Sequence, residues 1–355
     1  MNYLALFYFF SLQILFIYLF IKYYKKYNCN FLLDKNFKKI QSFHKTPAIK
    51  LGGIFLFLNL LIFYLLNENN PFYEKFFLFC LISFFLGFIV DLNIFENPFS
   101  RIIVMFFLFF FFLAVNEITI LTTQITFLDN FLNKNNYLMY LFLTFCILFA
   151  VNGSNFIDGF NGLLIIKFII ILFFIFFLNY NTSINNYLAN LSSFLLFSSV
   201  VILLFNFPTG KIFLGDSGSY LIGGIISFLL IETSRFNQNI PSFMIACILF
   251  YIFFEVFFSF FRKILQNKNP FYPDNLHLHM LIFNLLRKKN FSILKSNYYT
   301  SIIINLVYFF LMMPILFLNL SSNFYKLYFF ILIIFYLLIY NLVFYYNLNL
   351  KKKVN

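Results

Sequence analysis

The feature that most constrains this chain is a succession of apolar runs, each near the length of a membrane span and separated by short polar stretches. A helix needs roughly 20 mostly apolar residues to cross a bilayer. Hydropathy places eleven such segments, near 4–21, 51–66, 76–90, 101–116, 137–151, 162–179, 188–205, 218–231, 241–261, 298–319 and 327–347. The third, fourth and fifth read as short for a full crossing. The runs are continuous rather than alternating, which predicts helices and not a barrel. Only 10% of the 355 residues are charged, against ~25% in soluble domains, so a water-exposed globule is excluded. The expectation is an all-α polytopic membrane protein. With no internal repeat and no Pro/Gly/Ser-rich linker, residues 1–355 read as one integral-membrane domain.

A net charge of +13 fits either nucleic acid or a membrane surface, and its distribution decides for the membrane. With the N-terminus outside, loops 22–50 and 262–297, the C-terminal tail and the positions Lys50, Arg101, Lys167 and Lys211 share the cytoplasmic side. Of the 25 Lys and Arg, only Lys75, Lys134, Arg235 and Lys326 fall on the other side, as the positive-inside rule requires. No nucleic-acid partner is expected. The first run, Leu4 to Ile21, has its basic residues (Lys22, Lys25, Lys26) behind it. A cleaved signal peptide has the opposite polarity, so this segment reads as a retained span, N-terminus periplasmic and C-terminus cytoplasmic. Cys29, Cys80, Cys146 and Cys247 form no CxxC pair and three lie in apolar runs, which predicts structural thiols and no disulfide framework.

On that topology five polar clusters fall on one face, each at a helix end. They are His44 to Gly53, Gly87 to Asp91, Asn152 to Gly162, Asn206 to Gly218, and Asp274 to His279. All three His of the chain are among them. Asn152 and Asn155 are helix neighbours by spacing, yet Gly153, Gly159 and Gly162 favour a loop leading into a helix. Such a turn can aim carboxamides, Asp158 and backbone N–H groups at a phosphate, although a plain polar cap accounts for one such residue. Asp216 opens a span, where a carboxylate suits Mg²⁺, a cation that takes few carboxylates together with phosphate oxygens. Asp91 at a span end is, alone, an ordinary helix terminus. His277 and His279 would point apart on a helix, so a shared site needs a loop, which Pro270 and Pro273 favour. A zinc site there lacks a Cys partner and a clear third ligand, and phosphate contact suits the pair better. Glu255 lies within a span, two turns before Arg262 on the same face. A carboxylate there costs roughly 2.5–3.5 kcal/mol on insertion scales and should face the bundle interior.

These residues, in order from about Asn36 to Arg287, resemble the polyprenyl-phosphate N-acetylhexosamine-1-phosphate transferases (glycosyltransferase family 4), which include the phospho-N-acetylmuramoyl-pentapeptide and undecaprenyl-phosphate GlcNAc-1-phosphate transferases. His44, Pro47, Gly52 and Gly53 look like the family's first loop signature. Gly87 to Asp91 resembles its G-F-x-D-D segment. Asn152, Asn155, Asp158, Gly159, Gly162 and Leu163 match N-x-x-N-x-x-D-G-x-[DN]-G-L. Asn206, Phe213, Gly215, Asp216 and Gly218 resemble the segment supplying the metal ligand. Glu255, Arg262, Asp274, His277 and His279 resemble the closing pattern. Three departures stand out: Val90 replaces the first Asp of the usual pair, Asn161 stands where some members have Asp, and Met280 where many have His.

The resemblance implies transfer of HexNAc-1-phosphate from a UDP-sugar to polyprenyl (undecaprenyl) phosphate, releasing UMP and starting a lipid-linked envelope glycan of the O-antigen or cell-wall kind. It implies Mg²⁺, with Mn²⁺ as a substitute, held by Asp216 and Asn152. It also implies Asp91, Asp158, His277 and His279 as catalytic groups, and His44, Asn152, Asn155, Asn206, Phe213 and Arg262 as substrate contacts, Phe213 stacking on uracil. A multi-pass location in a bacterial inner membrane, among membrane lipid and with a cytoplasmic site, goes with this, and a homodimer is the assembly to test. Two other readings are an inactive relative serving in assembly, suggested by Val90, and a lipid-linked-sugar transporter, against which the one-sided polar clusters count.

Overall fold

The computed structural model describes residues 3–26, 33–34, 48–95, 97–120, 122–180, 186–237, 239–270, 274–317 and 321–352. Each apolar run becomes a helix. They are α1 (Tyr3–Lys26), α2 (Gly52–Leu65), α3 (Pro71–Asp91), α4 (Pro98–Val115), the short α5 (Thr126–Leu132), α6 (Asn136–Ile157), α7 (Leu163–Asn179), α8 (Asn186–Asn206), α9 (Gly215–Phe236), α10 (Ser242–Leu265), α11 (Leu278–Lys288), α12 (Ile293–Met312), α13 (Pro314–Phe317) and α14 (Ser322–Lys352). Among the described residues, eight helices are long and apolar enough to cross a membrane, and α1, α2 and α7 contribute shorter apolar stretches. The all-α polytopic expectation holds. The third, fourth and fifth runs prove full length, at 21, 18 and 22 residues in α3, α4 and α6. Their polar ends had been left out of the apolar count. Asn70, Asn97 and Asn135 cap these three helices, each side chain accepting from the backbone N–H two residues on, with Pro71 and Pro98 at the first helical position.

Among the long helices α9 is the least apolar and the most buried. It forms the hub, packed by α3 on one side and α6 on the other. Small residues make that possible: a Cβ on Gly223 would sit 2.6 Å from the Val151 Cα, and one on Gly224 2.3 Å from the Ser83 hydroxyl oxygen. Close backbone approach between helices replaces the hydrophobic drive that lipid does not supply. By contrast α4 and α14 expose much of their apolar surface, as lipid-facing helices do.

Three very short strands, β1 (Leu33–Asp34), β2 (Ala48–Lys50) and β3 (Ile212–Phe213), form a small sheet in the order β1-β2-β3. β2 runs antiparallel to β1 and parallel to β3, with Lys50 opposite Phe213. The sheet ties the chain ahead of α2 to the loop ahead of α9.

α7 holds an unexpected feature. Lys167 is fully buried, and its Nζ lies 3.8 Å from the Tyr308 ring centroid and 4.3 Å from that of Tyr251. Among the described residues no hydrogen bond reaches the Nζ, so the rings carry it through cation–π attraction. Its charge pattern had placed this lysine merely on the basic face.

Candidate functional site

The C-terminal ends of α3, α6, α8 and α10 and the N-terminal ends of α7 and α9 carry the chemistry-bearing residues. Lys75 and Arg235 lie at the opposite ends of their helices, and Lys134 in the turn just ahead of α6. Lys326 lies over the Phe243 ring at the start of α10, 5.8 Å from its centroid, which puts it at that far end too.

At the start of α9, Gly215 adopts φ +76°, and a Cβ there would fall 2.8 Å from Asp91 Oδ2. Glycine therefore lets the Asp91 carboxylate reach the helix terminus. Asp91 Oδ1 accepts from the Asp216 N–H at 3.0 Å and Oδ2 from the Ser217 N–H at 2.8 Å. Lys50 Nζ lies 3.1 Å from Oδ1, and the carboxylate is buried. Asp91 thus caps α9 from a neighbouring helix, where an anion is favoured by the unpaired N–H groups and the macrodipole. Asp216, in the first turn, accepts from the Asn155 carboxamide, whose Nδ2 also reaches Ser219 Oγ at 3.0 Å. Lys50 and Arg101 are the cations that face Asp216. Asp158 follows as the C-cap residue of α6. Burial, and after it the charges of Asp216 and Asp91, push its carboxyl well above the usual carboxylate range, with Lys50 opposing.

The expectation of a loop over Asn152 to Gly162 is corrected here. Asn152 and Asn155 stand in the final turns of α6, and only Asp158 to Gly162 form the turn. Asn152 Nδ2 donates to the Leu148 carbonyl at 2.8 Å, so Gly153 interrupts nothing. The turn is held by carboxamides from other helices. Asn206 Oδ1 accepts from the Gly162 N–H at 2.7 Å, while its Nδ2 donates to the Ile212 carbonyl at 2.8 Å. Asn297 Oδ1 accepts from the Asn161 N–H at 2.8 Å, and Asn305 Nδ2 donates to the Leu163 carbonyl at 3.1 Å. The Asn206 carboxamide is therefore committed to backbone on both sides. Phe213, on β3, is half-buried, with its ring beside Gly210.

A second polar group lies across this turn. Glu255 is 1% exposed, and its Oε1 accepts from His277 Nδ1 and from the Leu278 N–H, both at 3.0 Å. Its Oε2 accepts from the Tyr336 hydroxyl at 2.6 Å. Arg262 donates to Asp274 Oδ2 at 2.6 Å, to the Tyr340 oxygen at 2.7 Å and to the Leu276 carbonyl. His277 is the N-cap residue of α11 in extended conformation, so it and His279 need not diverge. Their rings stack at 5.3 Å, 8° apart. Burial pushes the His279 imidazole down to about 3, against the pull of Glu255. His277 Nε2 lies 3.4 Å from Asp274 Oδ1, and neither it nor the two nitrogens of His279 find a hydrogen-bond partner among the described residues. Phe156 and Phe160, at the end of α6 and in its turn, pack on the His277 and His279 rings at 5.6 and 5.5 Å. The α6–α7 turn is thus the wall between the two groups.

The structure gathers Asp91, Asn155, Asp158 and Asp216 on one side of that wall, and Glu255, Arg262, Asp274, His277 and His279 on the other. His44 lies outside the described residues. Val90 packs against the apolar core, and Met280 is buried within it. Sequence reasoning passed over Tyr336 and Tyr340, whose only signal was a four-residue spacing on the last apolar run. It counted Lys50 and Arg101 as topology markers alone. Among the described residues no three His, Cys, Asp or Glu form a metal cage. Cys80 and Cys247 are buried and Cys146 half-buried, all free, while Cys29 lies outside the described residues.

Comparison with known proteins places this geometry in context. The sequence model described as glycosyl transferase family 4 matches residues 73–234. An undecaprenyl-phosphate alpha-N-acetylglucosaminyl 1-phosphate transferase from Thermotoga maritima is 28% identical over 236 residues, 66% of this chain and 68% of that protein. Proteins of the same name from Haemophilus influenzae and Salmonella typhi are 34% and 33% identical over 76 and 73 residues, about a fifth of either chain. The family match covers the acidic side of the wall and ends before Glu255.

Proposed function

From the premise that the chain belongs, through residues 73–234, to glycosyl transferase family 4, we propose that it transfers HexNAc-1-phosphate from a UDP-sugar to polyprenyl phosphate, releasing UMP. The lipid phosphate oxygen attacks the β-phosphorus, the new P–O bond forms, and the bond to the UMP oxygen breaks. Such phosphoryl chemistry needs positioning and charge neutralisation more than covalent help.

The observation that carries this reading is the carboxylate group at the start of α9. Asp216 is presented by a helix terminus that Asp91 has already capped, and Asp158 is held above its ordinary range by burial and then by the charges of Asp216 and Asp91. An excess of carboxylate that the protein's own cations do not cancel suits a divalent cation. The donor set is all oxygen and too sparse for a full protein cage, which fits Mg²⁺, a cation that keeps substrate phosphate and water in its shell. Asp216 would hold it, with the Asn152 carbonyl oxygen and Asp158 beside it. When bound it would neutralise charge on the diphosphate. Lys50 and Arg101 hold the carboxylates in place, Asn155 orients Asp216, and His277 and His279 offer imidazole nitrogens to the sugar phosphate. Phe213 offers its half-buried face to the base. The basic residues gather at the site end, which supports a cytoplasmic site in a bacterial inner membrane.

The test is direct. Detergent-purified protein incubated with undecaprenyl phosphate, Mg²⁺ and a panel of UDP-HexNAc donors should release UMP, with the lipid diphosphosugar identified by mass spectrometry. No UMP from any donor would overturn the reading and leave an inactive relative. UMP formed without a lipid product would mean hydrolysis, and also overturn it.

A further inference from the structure

The family match ends at residue 234 and the sequence resemblance near Arg287. The last helix lies beyond both. Yet α14 places two hydroxyls in the buried polar group around His277. Tyr336 is 4% and Tyr340 5% exposed, on a helix otherwise largely open to lipid.

Each hydroxyl has a defined job. Glu255 is a buried carboxylate with three donors: His277 Nδ1, the Leu278 N–H and the Tyr336 hydroxyl. An ionised carboxylate only accepts, so His277 must carry a proton on Nδ1, while its Nε2 turns from Glu255 toward Asp274 Oδ1, 3.4 Å away. Tyr336 supplies the one donor to Oε2 among the described residues and so fixes the orientation in which Oε1 can serve both His277 and Leu278. Tyr340 works one turn further on. It accepts from Arg262 at 2.7 Å and donates to the Leu276 carbonyl at 3.0 Å, while Arg262 grips Asp274 at 2.6 Å. The segment from Asp274 to His277 is thereby held at both ends by groups that α14 orients.

We propose that Tyr336 and Tyr340 are positioning residues for the transfer reaction, Tyr336 holding the His277 ring by its Nδ1 proton through Glu255 and Tyr340 setting the Asp274–His277 segment through Arg262. The inference rests on the function proposed above for its kinetic consequence, and on geometry alone for its structural one. It makes α14 a working part of the site rather than a lipid-facing strut.

Tyr→Phe substitutions test it without emptying the packing. The Tyr336 ring stands against Phe254 and Phe258 at 4.9 and 5.6 Å, and Tyr340 against Phe258 at 4.6 Å, so the rings stay seated. With only three His in the chain, ¹⁵N-imidazole labelling of the detergent-solubilised full chain reads His277 directly. The wild type should show the Nδ1–H form, and Y336F should move the His277 resonances. Transfer kcat should fall about tenfold in Y336F, the scale of one hydrogen bond to a charged group, with KM for the UDP-sugar within about twofold. The double variant Y336F/E255Q should be no slower than E255Q alone, since both act through the same imidazole. Y345F, on the exposed side of the same helix, should match wild type. Wild-type kcat in Y336F, additive losses in the double variant, or an equal loss in Y345F would each overturn the proposal. If the wild type transfers nothing, the function falls, and the proposal is judged on the resonances: an unmoved His277 in Y336F overturns it.

Discussion

The two polar groups on either side of the α6–α7 turn are built on opposite principles. Around Glu255 every charge has a partner: His277, Tyr336 and a backbone N–H on the carboxylate, Asp274 and Tyr340 on Arg262. Around Asp216 three carboxylates face Lys50 and Arg101, and Asp158 is left pushed toward its neutral form. Buried charges that are paired give rigidity, whereas an unbalanced set keeps affinity for an incoming cation or cationic arrangement. The contrast separates a half whose charges are paired, leaving only imidazole nitrogens to offer a substrate, from a half that is the receptor for a cation.

The sharpest way to break that division is D216N. It keeps volume and removes charge from the receptor half, and turnover should fall at least ~10²-fold, the scale for one strong electrostatic stabiliser. Near-normal Mg²⁺-dependent turnover would end the assignment. D91N comes next. Because both oxygens of Asp91 are taken by the α9 terminus and Lys50, it should act by loosening Asp216, lowering turnover about tenfold. A pH–rate profile should show no alkaline rescue, since a polyprenyl phosphate with a second pKa of about 6 is already mostly dianionic at pH 7. Strong rescue would instead make Asp91 a base. V90D should change turnover by less than about tenfold, because Val90 packs on the core and the carboxylate that caps α9 is already present. Activity appearing only in V90D would mark the natural chain as inactive.

The smallest effect concerns stability. A carboxyl whose pKa is raised by folding costs stability increasingly as pH climbs from its unfolded value through its folded one. Asp158 is such a group. D158N, in the absence of divalent ions, should therefore melt a few degrees higher than wild type at pH 8, with the gap shrinking toward pH 4. A gap that grows on acidification would show that the charge is compensated after all.

Much of this was legible in the residues. Apolar length alone marks the helices, because lipid permits no other continuous backbone, and the motif residues fall at one end as charge asymmetry predicts. What escaped was whatever depends on long-range pairing. Nothing in Ala48 to Lys50 announces a strand, since its partner Ile212–Phe213 is remote. Asn206 reads as a substrate contact but spends its carboxamide on Gly162 and Ile212. Asn152 and Asn155 read as loop because glycine frequency outweighed their spacing of three, yet close packing of Gly153 on Ile252 explains that glycine within a helix.

Lys167 has a consequence for how the protein is made. Its two aromatic supports belong to α10 and α12, which leave the ribosome long after α7. Until they arrive, a lysine four residues into the helix, about 6 Å from its start, must stretch its stem back to the membrane surface. Only when Tyr251 and Tyr308 are in place can the side chain withdraw into the bundle. The seat of Lys167 is therefore complete only once α7, α10 and α12 have packed together.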